Sequence, residues 1–259
     1  MQYNDITYDM RGPAAWITIN RPDKYNAFRG QTCEELIHAF NKAGWDKHVA
    51  AIVLTGAGAK AFCTGGDQSA HDGAYDGRGI IGLPVEELQT TIRDVPKPVI
   101  ARVNGFAIGG GNVLVTCCDL AIAASSAVFG QVGPKVGSVD PGWGTAYLAR
   151  IVGEKKAREF WYLCERYTAA EAMQMGLVNQ VVAKPELDRT VRELAETIAA
   201  NAPLSVLASK LTVEEMVKDA RDRDMAKVTT AGQRAMQSED FKEGRRAFME
   251  KRKPVWKGK

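Results

Sequence analysis

The 259-residue chain has no hydrophobic run that approaches the roughly 18 apolar residues needed to cross a bilayer as a helix. Its first ten residues, MQYNDITYDM, lack the apolar stretch of a signal peptide. These two absences argue against membrane association, and we expect no membrane partner.

Cysteine and histidine are also scarce. The cysteine count of five is odd and contains no CxxC pair, so neither a disulfide framework nor a thiolate metal site is indicated. We therefore expect reduced thiols and a cytoplasmic location. The three histidines and the missing GxSxG motif argue against a Ser-His-Asp hydrolase. No His, Cys and carboxylate spacing matches a metal site, so no metal is predicted.

The formal net charge of +3 is too small to indicate nucleic acid by itself. Basic residues do collect near the C-terminus, at Lys251, Arg252, Lys253, Lys257 and Lys259. This cluster is either a solvated tail or a site for a polyphosphate ligand. It is not interleaved with aromatic residues, so no nucleic-acid partner is predicted.

Strand and helix patterns alternate in the first half of the chain. The predicted strands cover residues 15–19, 50–55, 99–103, 120–123 and 128–130. A helix is predicted over 30–45, and a second one opens at the glycine run 109–111. Buried strands that alternate with helices are typical of an α/β unit with a parallel sheet.

The second half is predicted to be mainly helical. The predicted helices cover residues 141–151, 154–164, 168–175, 186–201, 204–218 and 221–250. Residues 69–83 are rich in Gly and Asp and poor in core residues, so we interpret them as a mobile surface loop.

Two glycine segments carry the strongest chemical signal. Residues 61–68 (AFCTGGDQ) follow a strand and contain two glycines, and residues 104–112 (NGFAIGGGN) place three glycines at a helix start. Free N–H groups at a helix N-terminus suit an anion or a developing oxyanion. Tight packing or a turn is the alternative for each segment alone. Neither segment fits the GxGxxG or GxxxxGK[ST] fingerprints.

Taken together, these segments resemble the crotonase (enoyl-CoA hydratase/isomerase) superfamily over nearly the whole chain. The matching residues are 20–27, 61–68, 96–101, 104–111, 118–120 and 172–179. The resemblance implies an α/β fold, a ClpP-like spiral of ββα units with a C-terminal helical region. It implies a core domain over 1–200 and a helical region over 201–259 that takes part in oligomerisation and active-site closure. A homotrimer or dimer of trimers is expected.

The resemblance also implies an acyl-CoA substrate. In the family, N–H groups at the positions of Gly66 and Gly110 polarise the thioester carbonyl, and an enolate is the shared intermediate. Coenzyme A would contact Lys60, Ala61 and Gly65, while Lys24 and the basic C-terminus would meet its phosphates.

The family's hydratases use two glutamates, whose positions are Val113 and Gly133 here, so ordinary hydration lacks its proton carriers. Residues 129–144 and 153–161 instead resemble 1,4-dihydroxy-2-naphthoyl-CoA synthases and 2-ketocyclohexanecarboxyl-CoA hydrolases. By that resemblance Asp140 acts at the substrate's second carbonyl, with Ser138 beside it. A turn or helix cap is the alternative for this pair.

Two further expectations come from the same resemblance. Gln131, Gly133 and Trp161 match residues that hold bicarbonate in some naphthoyl-CoA synthases; chloride or water could occupy the same space. A tyrosine that assists proton transfer in both groups is replaced by Met236. Either Tyr75 takes over that role, or the substrate differs from those of both groups and Tyr75 is an ordinary surface residue.

The leading hypothesis is ring-opening hydrolysis, a reverse Dieckmann reaction, of a cyclic β-ketoacyl-CoA such as 2-ketocyclohexanecarboxyl-CoA. Such a hydrolase or lyase would belong to the degradation of aromatic or alicyclic acids. Dieckmann cyclisation to a naphthoyl-CoA is the first alternative, and a hydratase or isomerase using Asp140 alone is the next. A non-catalytic acyl-CoA-binding or RNA-binding homologue is the alternative from another class.

Overall fold

The computed structural model describes residues 1–70, 79, 82–140 and 142–259, and its strands form two sheets. The strands are β1 (Ile6–Arg11), β2 (Ala14–Ile19), β3 (Ala51–Gly56), β4 (Ala61–Cys63), β5 (Val99–Val103), β6 (Phe106–Ile108), β7 (Leu120–Ala124), β8 (Val128–Gly130), β9 (Arg166–Thr168) and β10 (Gln180–Val182). The larger sheet has the order β1-β2-β3-β5-β7-β10, and the smaller one the order β4-β6-β8-β9. Each sheet is parallel except for one antiparallel edge strand, β1 in the larger and β9 in the smaller.

The α-helices flank the sheets and then make up most of the C-terminal part. They are α1 (Gly30–Trp45), α2 (Val85–Asp94), α3 (Gly110–Cys117), α4 (Leu148–Val152), α5 (Glu154–Leu163), α6 (Ala169–Gln174), α7 (Leu187–Ala199), α8 (Pro203–Met216), α9 (Met225–Met236) and α10 (Glu239–Met249). A π-helix, Gly142–Tyr147, leads directly into α4. No helix in the described ranges is long and apolar enough to cross a membrane.

The central strand β3 shows why the larger sheet has continuous apolar strands. Alternate side chains of a strand point to opposite faces. Ile52 and Leu54 face the main core, while Ala51 and Val53 pack in a second cluster with α7. Because both faces of β3 are covered, its residues 51–54 are all apolar.

The α/β fold class and the C-terminal helical region are confirmed. The expected parallel strands lie in two sheets. Five strands were not predicted: β1, β4, β6, β9 and β10. Four of these have only three residues, too few to show a period of two.

Helix α2 was not predicted, and the predicted helix over 221–250 is two helices. They separate at Ser238, whose Oγ accepts a hydrogen bond from the N–H of Phe241 and so caps α10. The loop predicted over 69–83 falls largely outside the described residues. The division at residue 200 stays a prediction.

Asn104 connects the two sheets where the chain passes from one to the other. It lies between β5 of the larger sheet and β6 of the smaller one and is 1% exposed. Its Nδ2 donates to the carbonyl oxygens of Gly56, Gly58 and Ala61 at 2.9, 2.9 and 3.2 Å. These carbonyls line the turn between β3 and β4, so Asn104 fixes the strand that leads into the first glycine segment.

We expect Asn104→Ala to lower the free energy of unfolding by about 1–3 kcal/mol, because buried carbonyl groups lose their donor. Urea unfolding measures this. The matched control is Asn41→Ala on the exposed face of α1, expected to change stability by less than about 0.5 kcal/mol. Equal effects of the two substitutions would contradict the connecting role.

Candidate active site

The first glycine segment presents the backbone amide of Gly66 to the space beside it. Gly65 has φ of +92°, and Gly66 pairs with Phe28 in an isolated parallel bridge. The bridge bonds run from Phe28 N to the Gly65 carbonyl and from Asp67 N to the Phe28 carbonyl, both at 2.8 Å. Both bonds use residues beside Gly66, so its own N–H points away from Phe28. No protein acceptor for that N–H is found in the described chain.

The second glycine segment presents another such amide. Gly109 has φ of +56° and stands at the N-cap of α3, with its own N–H bonded to the Gly130 carbonyl at 2.9 Å. Gly110 is the first residue of α3, so its N–H has no partner within the helix. The positive end of the helix dipole adds to the attraction for a negative charge there.

The two segments are in backbone contact. A Cβ atom on Gly65 would lie 2.9 Å from the nitrogen of Gly110. A Cβ atom on Gly110 would lie 2.7 Å from Cζ of Phe28 and 3.2 Å from Cα of Gly65. Any other residue at either position would force the segments apart. Gly66 and Gly110 therefore border one cavity, of about 390 Å³.

Apolar side chains form most of the cavity wall. They are Phe28, Val85, Val113, Val132, Val136, Val139, Trp143 and Trp161. The polar side chains that reach it are Thr64, Gln68, Glu86, Gln89, Gln131, Ser138 and Asp140. An apolar, water-poor surrounding strengthens the interaction of two amides with a developing oxyanion.

Asp140 is held by two hydrogen-bond donors. Its Oδ2 accepts from Nε2 of Gln89 and its Oδ1 from the N–H of Gly144, both at 2.7 Å. Gly144 belongs to the π-helix, and a Cβ atom there would lie 2.7 Å from Cβ of Asp140 and 2.9 Å from Cγ2 of Val113. Asp140 therefore lies close to Val113, which follows Gly110 by nearly one turn of α3.

Ser138 also borders the cavity, and its side chain is exposed. Its N–H donates to the Gly133 carbonyl at 2.8 Å, which closes the short helical turn Gly133–Val136. The structure thus brings Ser138 and Asp140 to the cavity that holds both glycine amides. Tyr75 lies outside the described residues. Met236 on α9 is 60% exposed and does not border the cavity.

The three residues expected to hold bicarbonate meet at one end of the cavity. Gln131 is 1% exposed, and its Nε2 has no hydrogen-bond partner among the described residues. A Cβ atom on Gly133 would lie 2.7 Å from Cζ3 of Trp161. The indole N–H of Trp161, however, already donates to the Gly144 carbonyl at 2.5 Å. Of the two side-chain donors among these three residues, the described structure leaves the Gln131 amide available to an anion, and the bicarbonate site stays a prediction.

The residues expected to contact coenzyme A are less closely grouped. Gly65 borders the cavity, whereas Lys24, Lys60 and Ala61 do not. Lys24 and Lys60 are exposed, and Nζ of Lys60 lies 5.8 Å from the ring centre of Tyr25. Ala61 is buried in β4.

Arg252 of the basic C-terminal cluster has its side-chain charge paired within the chain. Arg252 forms an ion pair with Glu243 at 2.7 Å and another with Glu250 at 2.6 Å. Its charge is therefore at least partly neutralised within the chain.

Sequence reasoning missed two polar residues of the site, Glu86 and Gln89, because it missed α2. The helix does carry a signal, since Val85, Leu88 and Ile92 are apolar at helical spacing and all are buried. The short segment and its lack of an N-cap side chain make that signal weak.

Asp67 stabilises the backbone that carries the Gly66 amide. Its Oδ2 pairs with Nη2 of Arg21 at 2.8 Å, and its Oδ1 accepts from the Ser69 hydroxyl at 2.6 Å. These hydrogen bonds, the one from Ser69 most of all, lower the pKa of Asp67 from an ordinary value of 3.8 to about 2.

A carboxylate with a lowered pKa stabilises the folded state above its unfolded pKa and loses that effect as the pH falls. We expect Asp67→Asn to lower the free energy of unfolding by about 1–3 kcal/mol at pH 7. The difference from the unmodified chain should shrink between about pH 4 and pH 2, which urea unfolding at several pH values measures. The exposed Asp23→Asn is the control; a pH-independent difference for Asp67→Asn would contradict the assignment.

Comparison with known proteins identifies the family of the chain over nearly its full length. The family model described as enoyl-CoA hydratase/isomerase matches residues 11–259. An enoyl-CoA hydratase of Bacillus anthracis is 32% identical with a TM-score of 0.90, covering 99% of this chain and 100% of its own. An enoyl-CoA hydratase/carnithine racemase of Magnetospirillum magneticum is 30% identical with a TM-score of 0.91, covering 100% and 97%.

An enoyl-CoA hydratase/isomerase of Mycobacterium paratuberculosis is 31% identical with a TM-score of 0.85, covering 99% of both chains. These solved structures share the fold described above, including its C-terminal helices. The chain belongs to the enoyl-CoA hydratase/isomerase (crotonase) superfamily.

Proposed function

We propose that this crotonase-superfamily enzyme opens the ring of a cyclic β-ketoacyl-CoA by hydrolysis. One observation carries the proposal: the carboxylate of Asp140 is anchored by two N–H donors in the cavity that the Gly66 and Gly110 amides border. The two positions where the family's hydratases carry glutamate are Val113 and Gly133 here. The lack of glutamate at both positions supports a reaction other than hydration, with Asp140 as the proton-transfer group.

The proposed reaction begins with the thioester oxygen accepting hydrogen bonds from the Gly66 and Gly110 amides. Asp140 takes a proton from a water molecule whose oxygen bonds to the ring ketone carbon. The bond between that carbon and the α-carbon then breaks, and its electron pair forms the thioester enolate. Asp140 then returns the proton to the α-carbon of the enolate, which gives an open-chain acyl-CoA with a terminal carboxylic acid; this product equals the substrate plus one water.

The cavity wall supports a ring-shaped apolar acyl group. Valine and tryptophan side chains offer apolar surface without charge, and an alicyclic ring gains from burial against them. The two glycine amides contribute most where negative charge develops on oxygen; removing one such donor elsewhere costs about 3–4 kcal/mol of transition-state stabilisation.

A hydratase or isomerase activity is the second candidate. The solved relatives carry such names, and Glu86 gives the cavity a second carboxylate besides Asp140. Dieckmann cyclisation uses the same groups in the opposite direction. An acyl-CoA substrate fits the superfamily; a homotrimer or dimer of trimers, a cytoplasmic location and bound bicarbonate stay predictions.

Incubation with 2-ketocyclohexanecarboxyl-CoA in water enriched in ¹⁸O tests the proposal. We expect pimeloyl-CoA with one ¹⁸O in its new carboxylate, detected by mass spectrometry. Asp140→Ala should abolish the product, while Asp9→Ala on the exposed face of β1 should not. Naphthoyl-CoA from succinylbenzoyl-CoA would favour cyclisation, and hydration of crotonyl-CoA alone would favour the second candidate. If none is consumed, the proposal is wrong.

Gly65→Ala tests the oxyanion site separately. The added methyl would lie 2.9 Å from the Gly110 nitrogen, so we expect kcat to fall roughly 10²- to 10³-fold. Gly153→Ala is the matched control, since its φ of +83° carries a similar backbone cost with no atom within 4 Å of the added methyl. Equal kcat values for the two variants would contradict the assignment.

A further inference from the structure

The loop that carries Asp140 has little packing of its own. Residues 134–139 are all exposed, and Asp140 itself is half-buried. Only two hydrogen bonds to its carboxylate are found in the described chain, those from Gln89 and from the Gly144 amide. The direction of the carboxylate therefore depends on donors from outside the loop.

Gln89 is the only side chain among these donors. It is 2% exposed and lies on α2, which packs its apolar face into the main core through Leu88 and Ile92. Its Nε2 lies 2.7 Å from Oδ2 of Asp140. A buried amide on a packed helix is a rigid donor, because its rotamer is fixed by the surrounding atoms.

The same helix supports the second donor through a different residue. The guanidinium carbon of Arg93 lies 4.7 Å from the ring centre of Tyr147 and 5.6 Å from that of Trp143, both in the π-helix that supplies the Gly144 amide. Arg93 is also paired with Glu214 of α8. Helix α2 thus carries one donor to the carboxylate, Gln89, and contacts the π-helix that supplies the other.

We propose that Gln89 is a positioning residue for Asp140. Its N–H fixes Oδ2, which sets the rotamer of the carboxylate. The catalytic part of this inference rests on the function proposed above; the positioning part rests on geometry alone.

The first test compares Gln89→Met with the unmodified chain. Methionine is similar in length and fills the space without donating a hydrogen bond. We expect kcat for ring opening to fall about 10- to 100-fold with KM changed less than about threefold. The exposed Gln174→Met on α6 is the matched control and should retain full activity.

A variant that can regain the donor separates positioning from a general structural effect. Gln89→Glu should regain activity towards acidic pH, where the introduced carboxyl group is protonated and can donate to Asp140. Glu86 and Arg93 on α2, Cys117 on α3 and Tyr147 of the π-helix are further charged or titratable groups near this position. A Gln89→Glu variant whose activity does not recover as the pH falls would overturn the inference.

A crystal structure of Gln89→Met gives an answer that requires no substrate. We expect the Asp140 carboxylate to rotate or to take two conformers; an unchanged carboxylate would overturn the inference. If circular dichroism shows that Gln89→Met is unfolded, Gln89→Glu replaces it in the kinetic and the crystallographic measurements. If Asp140→Ala stays active, the proposed function is wrong; if it is inactive while Gln89→Met matches the unmodified chain, only the positioning role is wrong.

Discussion

The close approach of two glycine backbones is the constraint on which the rest of the site depends. The Cα atom of Gly65 and the backbone of Gly110 approach so closely that neither position has room for a Cβ atom. That contact brings two amides to a single cavity, that of Gly66 after β4 and that of Gly110 at the start of α3, and the described residues provide no acceptor for either. The hydrogen bond that Asn104 donates to the Ala61 carbonyl and those that Asp67 accepts from Arg21 and Ser69 hold the first of the two segments in place.

The groups that border the cavity come from two kinds of structure, sheet strands and an exposed loop. Its glycine amides come from the ends of β4 and β6, which the parallel sheet fixes, whereas Asp140 comes from an exposed loop. The loop is held from outside by Gln89 and by the Gly144 amide. The oxyanion site and the carboxylate are therefore held by different parts of the fold. Such a separation allows one fold to support different reactions, because the carboxylate can change in evolution while the oxyanion site stays the same.

The sequence predicted the parts of the molecule with long, regular patterns. Helix α1 and strand β5 have the predicted bounds, because their apolar residues repeat over enough positions to show a period. The three-residue strands could not be predicted that way, since they are defined by pairing with distant strands. The glycine amides were predicted through resemblance. Gln89 was not, because its bond to Asp140 joins residues 51 positions apart.

A crystal structure of the enzyme with a bound, non-hydrolysable acyl-CoA analogue tests the central claim most directly. The account predicts the carbonyl oxygen that replaces the thioester oxygen at about 2.7–3.1 Å from both the Gly66 and the Gly110 nitrogen. A carbonyl oxygen bound elsewhere in the cavity, or in contact with only one of the two amides, would contradict it.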